Sequence, residues 1–303
     1  MITRDADAFL AVARDCAPDF GPATARAAFL VAPDGFARAA ESAGDNRYMA
    51  AAGFDGACAL AEHRALQRAM SAELPTLAFP GDPRAPDGLF PNNVFATVPG
   101  RLVVGRMRYP VRRLEARRED VRRFFTDVMG YEIHDLSTQE HPCELTGVMV
   151  VDRARGLGFA GLSGRCDEEG AALVHRAFGL RATLVAELAP GEYHANVVLA
   201  ILAGRAALVC PDGFVDPGPV LAALDALYGP HVVRLSAAER GAFAGNAISL
   251  GPDTVWMSAG AQAALSGSSR SGLAAAGFEV RAVPLEAIEA AGGSLRCCVA
   301  EIY

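Results

Sequence analysis

No apolar stretch in this chain is long enough to cross a membrane. The longest, ANVVLAILAG, meets Arg205 after about ten residues, where a spanning helix needs roughly 20. The opening MITRDADAFLAVARDC is charged from its fourth residue and lacks a basic segment followed by an apolar one, so no secretory signal is expected and the chain is read as cytoplasmic. Basic charge is also in short supply. The net charge is -7, which leaves no clustered Lys/Arg footprint for nucleic acid. A CxxC pair is missing as well: Cys16, Cys58, Cys143, Cys166, Cys210, Cys297 and Cys298 are odd in number and scattered, which argues against a disulfide framework and suits a reducing compartment. The fragment HPCE, His141 to Glu144, has no second Cys or His pair at ligand spacing, so neither a metal nor another cofactor is expected.

What is present is a large apolar fraction, 51% of 303 residues, enough for a substantial buried core, and an internal period. VFATVPGRLVVG, VMVVDRARGLGFAGL, VVLAILAGRAALVC and AISLGPDTVWMS each read as two apolar strands joined by a turn. They begin at Val94, Val148, Val197 and Ala247, a spacing near 50 residues that marks an architectural repeat. Helical patterns follow in RREDVRRFFTDVMG, DEEGAALVHRAFG and PGPVLAALDALYG, and a broken helix is expected between Ser258 and Gly277. Short strands then return in YEIHDLS, ATLVAEL, HVVRLS and FEVRAVPL, so the unit is ββαβ. A fifth unit needs both chain ends: AAFLVAP as strand, residues 56–74 as helix, PTLAF as return strand, and CVAEIY as the missing hairpin partner. Five such units predict a ring, an α/β propeller with pseudo-fivefold symmetry and no open ends, formed as a single domain over residues 1–303. The alternative is an ordinary three-layer α/β sandwich.

The residue just before each hairpin is Asn93, Gly147, Asn196, Asn246 and, at the corresponding step, Cys297. In a ring one address faces one axis, so these residues are expected to converge on a pocket. His194 lies two residues before Asn196, on the same face of an extended approach, and Glu144 lies three before Gly147. A thiol, an imidazole, a carboxylate and amides are the parts of a covalent hydrolase: Cys297 as nucleophile, His194 as proton shuttle, Glu144 as orienting group, and Asn93, Asn196 and Asn246 as a hydrogen-bonding clamp. Cys298 must face the other way and is read as core. The segment RMRYPVRRLEARRED offers Arg106, Arg108, Arg112 and Arg113 for the carboxylate of a small amino-acid substrate, the alternative being a solvated helix face.

DGLFPNNVFAT, ELTGVMVVDR, YHANVV and GGSLRCCVAEI resemble the guanidino-group-modifying enzymes of the pentein superfamily, which includes arginine deiminase and dimethylarginine dimethylaminohydrolase. The resemblance implies a five-bladed α/β propeller with Cys297 as nucleophile, His194 as acid/base and Glu144 as its carboxylate partner. It also groups Asn92 of the PNN segment with the substrate contacts. Deiminases usually carry aspartates where this chain has Asn93 and Asn196. A carboxylate about 4 Å from a guanidinium contributes on the order of 4 kcal/mol at an effective dielectric near 20, whereas an amide suits a neutral ureido group. The chain looks most like the citrulline-utilisation branch, which implies hydrolysis of citrulline to ornithine, ammonia and carbon dioxide. Arginine dihydrolase and deiminase-type activities are the alternatives within the superfamily, and a pentein-fold binding protein is the non-enzymatic one. Homo-oligomerisation is left open.

Overall fold

The computed structural model describes all 303 residues, 1–303. Its strands are β1 (Ile2–Thr3), β2 (Ala27–Val31), β3 (Thr76–Phe79), β4 (Phe95–Val98), β5 (Arg101–Val104), β6 (Glu132–Asp135), β7 (Met149–Asp152), β8 (Leu157–Leu162), β9 (Ala182–Glu187), β10 (Leu199–Leu202), β11 (Ala206–Val209), β12 (Val232–Arg234), β13 (Thr254–Ser258), β14 (Glu279–Val283) and β15 (Ala300–Ile302). They form five sheets in a mixed α/β fold. Three repeat one plan: β4–β5, β7–β8 and β10–β11 pair antiparallel, then β6, β9 and β12 add in parallel. A parallel return needs a crossover, and helices supply it. Glu168–Phe178 is capped by the Asp167 side chain and ended by left-handed Gly179. Gly218–Tyr228 is the next crossover.

The chain ends meet as expected. β15 pairs antiparallel with β2, Ala300 opposite Phe29, and β3 adds in parallel. The anticipated break in the fourth helix falls at Leu265 and Ser266, between Ala259–Ala264 and Gly267–Ala275, where the Ser266 side chain caps the second piece.

One expectation needs correction, and one strand was not anticipated. The fourth hairpin is not a hairpin: its first strand shrinks to a single bridge, Ile248 to Trp256, and β13 pairs only with β14. The second difference is β1, which adds in parallel to β9 and makes a four-stranded sheet. Two residues are too few to show a period.

Burial fixes the register. β11 is wholly buried and β10 nearly so, because helices cover one side and neighbouring sheets the other. Each fully buried Leu or Val there contributes roughly 1.5–3 kcal/mol. The three-residue β10–β11 turn, 203–205, places both Ala203 (φ 46) and Gly204 (φ 65) in the left-handed region, a twist that suits a tight hairpin. The sheets meet at one set of edges: β15 packs beside β4 and β7 beside β10. Those edges carry the turns that build the site.

Candidate active site

At four of the five addresses the approach is a single turn of helix rather than the extended segment expected. Pro91–Asn93, Leu145–Val148, Ala195–Val198 and Leu295–Cys298 are such turns. At four of the five addresses the backbone N–H donates to the carbonyl three residues earlier: Asn93 to Phe90 at 3.3 Å, Gly147 to Glu144 at 3.0 Å, Asn246 to Phe243 at 2.8 Å, and Cys297 to Ser294 at 3.0 Å. In the remaining unit the bond is shifted by one, from Val197 to His194 at 3.3 Å. A four-residue turn carries too few positions for a 3.6-residue period to register.

The turns touch in succession, 91–93 with 145–148, 145–148 with 195–198, and 295–298 with 91–93. Asn246 closes the series, its Nδ2 donating to the Asn196 carbonyl at 2.8 Å and lying 3.4 Å from Cys297 Sγ. Cys297 N–H donates back to Asn246 Oδ1 at 3.4 Å, and Asn196 Oδ1 is 3.9 Å from the sulfur. Two amides therefore frame the thiol.

His194 and Glu144 form the other half. Their side chains are fully buried, with Nε2 2.8 Å from Oε2. Because the carboxylate accepts from Nε2–H, Nδ1 is left as the acceptor nitrogen, and it has no protein partner. Gly147 makes room for this ring. A Cβ on Gly147 would lie 2.6 Å from Asn93 Oδ1 and 2.9 Å from both Cε1 and Nδ1 of His194. Leu145, next to Glu144, is held at φ 37, a left-handed strain on the order of 1–3 kcal/mol that its complete burial helps to offset.

Burial alone would raise the Glu144 pKa, but the Arg165 guanidinium at 3.2 Å and the His194 hydrogen bond outweigh it and hold the carboxyl well below its usual range. Burial pushes His194 down against the pull of Glu144. Burial pushes the Cys297 thiol up, opposed by the Asn246 hydrogen bond. Both shifts favour the uncharged forms, and Cys297 makes no hydrogen bond to His194.

Cys297, Asn93, Asp87, Arg112, Arg165 and Tyr193 line a cleft with about 10 Å³ of free space, room for the centre of roughly one water. Ser42 and Asn46 line it too, from a segment tied across it: Ser42 Oγ donates to Asp87 Oδ2 at 2.6 Å, Asn46 Nδ2 to the Gly292 carbonyl at 3.1 Å, and Arg165 to Asp45 at 2.6 Å.

A sequence profile described as N,N dimethylarginine dimethylhydrolase, eukaryotic, matches residues 32–303, from just after β2 to Tyr303. The chain belongs to this family. It is a guanidino-modifying member of the pentein superfamily, whose relatives hydrolyse C–N bonds outside peptides. No curated protein sequence matches it significantly. Among solved structures it is similar to the N-terminal domain of ArgZ, an arginine dihydrolase from cyanobacteria, in a substrate-bound cysteine-to-serine variant, with 19% identity, TM-score 0.78, and 91% of this chain and 97% of that one covered. AgrE in complex with L-arginine gives 18% identity and TM-score 0.79 over 91% of this chain and 40% of that one. A dimethylarginine dimethylaminohydrolase carrying an S-methyl-L-thiocitrulline adduct gives 19% and 0.69, covering 92% of this chain and all of that one.

Of the arginines expected at the site of this dimethylarginine dimethylhydrolase-family chain, only Arg112 reaches it. Buried beneath the cleft, Arg112 pairs in two 2.9 Å bonds with Glu115 and lies 3.6 Å from Glu144 and 3.9 Å from Asp87. Arg106 instead donates to the Ser137 carbonyl, Arg113 to the carbonyls of Met107 and Arg108, and Arg108 to that of Gly164. Those side chains cap local backbone, which is why they point elsewhere. Arg108 contributes through its main chain, its N–H donating to Glu144 at 3.1 Å. Asn92 is a brace: its Nδ2 donates to Asn93 Oδ1 at 3.3 Å and its Oδ1 accepts from Thr146 at 2.5 Å.

Sequence reasoning missed three residues. Arg165, nearly fully buried, reaches Glu144 from the loop after β8, and one arginine among many carries no local mark. Asp87 is buried with Oδ1 unpartnered in the cleft. Its signal was a carboxylate leading into the apolar GLFP, residues 88–91. Tyr193 precedes His194, stacks near it with ring centroids 4.5 Å apart, and donates to the Gly292 carbonyl.

Proposed function

We propose that this chain hydrolyses the C–N bond of a ureido or guanidino carbon on a free arginine-derived amino acid, with citrulline to ornithine, ammonia and carbon dioxide as the first reading. One observation carries it: the groups beside Cys297 Sγ are the amides of Asn246 and Asn196, while the nearest catalytic carboxylate, Glu144, is already occupied by His194 and Arg165. Amides rather than a carboxylate in contact with the sulfur suit a neutral carbon centre better than a cation, with Asp87 left as the cleft's open carboxylate. The similarity to arginine dihydrolases supports a second reading, in which arginine is carried through two successive hydrolyses at the same thiol.

In this reading the five sheets are the blades of a closed five-bladed propeller within one domain, and the succession of touching turns is its axis. Arg112 and Arg165 hold the substrate carboxylate, and the open Oδ1 of Asp87 takes its ammonium. Asn93 completes the clamp opposite the sulfur. Cys297 attacks the ureido carbon as its proton passes to His194 Nδ1, the nitrogen that Glu144 leaves free. The imidazolium then protonates the departing nitrogen, so ammonia leaves and a thiol-bound intermediate remains. Water resolves it, again through His194. The substrate is a small molecule, and no step calls for a metal or other cofactor.

The test is to supply purified protein with citrulline, arginine and dimethylarginine and count ammonia per ornithine. One ammonia from citrulline with arginine inert supports the first reading, and two from arginine supports the second. Turnover that survives Cys297→Ser discards the mechanism.

A further inference from the structure

Behind Asn196, away from the cleft, lies a second cavity. It is more enclosed than the cleft, with about 40 Å³ of free space, room for about three water molecules. Thr146, Asn196, Ala200, Ile201, Ala247 and Ser249 are among its walls, drawn from three successive units of the repeat. Asn196 lines this cavity and not the cleft, yet its Oδ1 is 3.9 Å from Cys297 Sγ. Its side chain is therefore the partition between the rear space and the thiol.

Two wall atoms call for water. Asn196 Nδ2 and Ser249 Oγ are buried, 2% and 5% exposed as residues, and neither has a protein hydrogen-bond partner. Leaving either unsatisfied costs about 1–3 kcal/mol, and buried waters bound in polar cavities are the usual remedy. The front route is taken up by the substrate itself. An amino acid bound beside Cys297 would occupy the cleft, beneath a segment tied down at Asp87, Gly292 and Arg165.

We propose that the rear cavity is a water-binding site that feeds the hydrolytic step past Asn196. The inference rests on the covalent reading above. Once ammonia has left, a water from the rear adds its oxygen to the carbon bonded to Sγ and gives one proton to His194. The C–S bond then breaks and the sulfur leaves with the electron pair, recovering its proton from the imidazolium.

Ala200→Leu fills the wall and Ile201→Trp, at a half-buried position, plugs the mouth. In both variants kcat and KM are expected to fall together by at least tenfold with kcat/KM unchanged, because only the step after ammonia release is starved. Intact mass should show a Cys297 adduct that the native enzyme does not accumulate. A merely structural role would move kcat/KM instead. On the native protein, pulsed radiolysis tests the water directly: buried Ile248, another wall residue, should be hydroxylated at a rate comparable with exposed Leu77. Native-rate turnover without adduct in both folded variants, or an Ile248 that stays unlabelled, overturns the proposal. A native protein inert toward citrulline and arginine would sink the reading of the reaction instead, and the Ile248 measurement would still decide whether water occupies the cavity.

Discussion

Gly147→Ala tests whether the spacing between the acid–base pair and the clamp governs the chemistry. Gly147 sits in the helical turn Leu145–Val148 and is absent from the positive-φ positions, so the backbone accepts alanine. The added Cβ would meet Asn93 Oδ1 at 2.6 Å and the His194 ring at 2.9 Å, well inside ordinary contact. Both side chains must retreat by an appreciable fraction of an ångström. A misplacement of about 1 Å lowers rates roughly 100-fold, which corresponds to about 2.7 kcal/mol of lost transition-state stabilisation. Stability should change far less. Replacing glycine within a helical turn gains about 0.5–1 kcal/mol, against about 1–3 kcal/mol for overpacking. The assay is ammonia release with citrulline or arginine, alongside a thermal melt. Gly241→Ala, where nothing lies within 4 Å of the added Cβ, serves as the control and should leave both unchanged or slightly improved. A folded Gly147→Ala enzyme working within threefold of native would refute the reasoning.

Three further outcomes are expected. Because burial holds the Cys297 thiol above its ordinary value, its thiolate fraction grows as pH rises toward that value, and iodoacetamide inactivation should accelerate about tenfold per pH unit from 7 to 9. A rate already flat below pH 7 would reveal a preformed ion pair and contradict the neutral resting state. Glu144→Gln removes the shared partner of Arg165 and His194 and should destabilise by about 3–5 kcal/mol, read from denaturant melts, as well as abolish turnover. An unchanged midpoint would mean that this network contributes little. Asn93→Asp should move preference toward guanidinium ligands by at least tenfold in relative kcat/KM, the direction expected of a carboxylate near a cation. No movement would place discrimination elsewhere.

The repeat was legible because hairpin turns and return strands are marked locally by Gly, Pro and alternating apolar residues. β4–β5 and β10–β11 follow that grammar. The pairing of β15 with β2 followed from counting units rather than from any feature of either strand. Phase within the repeat likewise named Cys297, Asn196 and Asn246, which the fold brings within hydrogen-bonding range of one another. What stayed hidden depended on lengths too short to have a period or on three-dimensional reach. The four-residue turns read as strand ends, Arg106 and Arg113 turned back onto their own backbone, and Arg165 crossed from another unit to Glu144. Gly147 looked like a gap in the pattern, whereas its missing side chain is the space His194 occupies.

The seam between β15 and β2 has a temporal meaning. Residues 27–29 leave the ribosome early but stay without their antiparallel neighbour until 300–302 have been made, almost a whole chain later. Contacts so distant in sequence form slowly. The turn bearing Cys297 lies immediately before that last strand, so the reactive sulfur is framed by its amides only when the seam closes. A nascent or clipped polypeptide can thus present four sheets and remain chemically silent, which makes onset of turnover a clock for the final folding event.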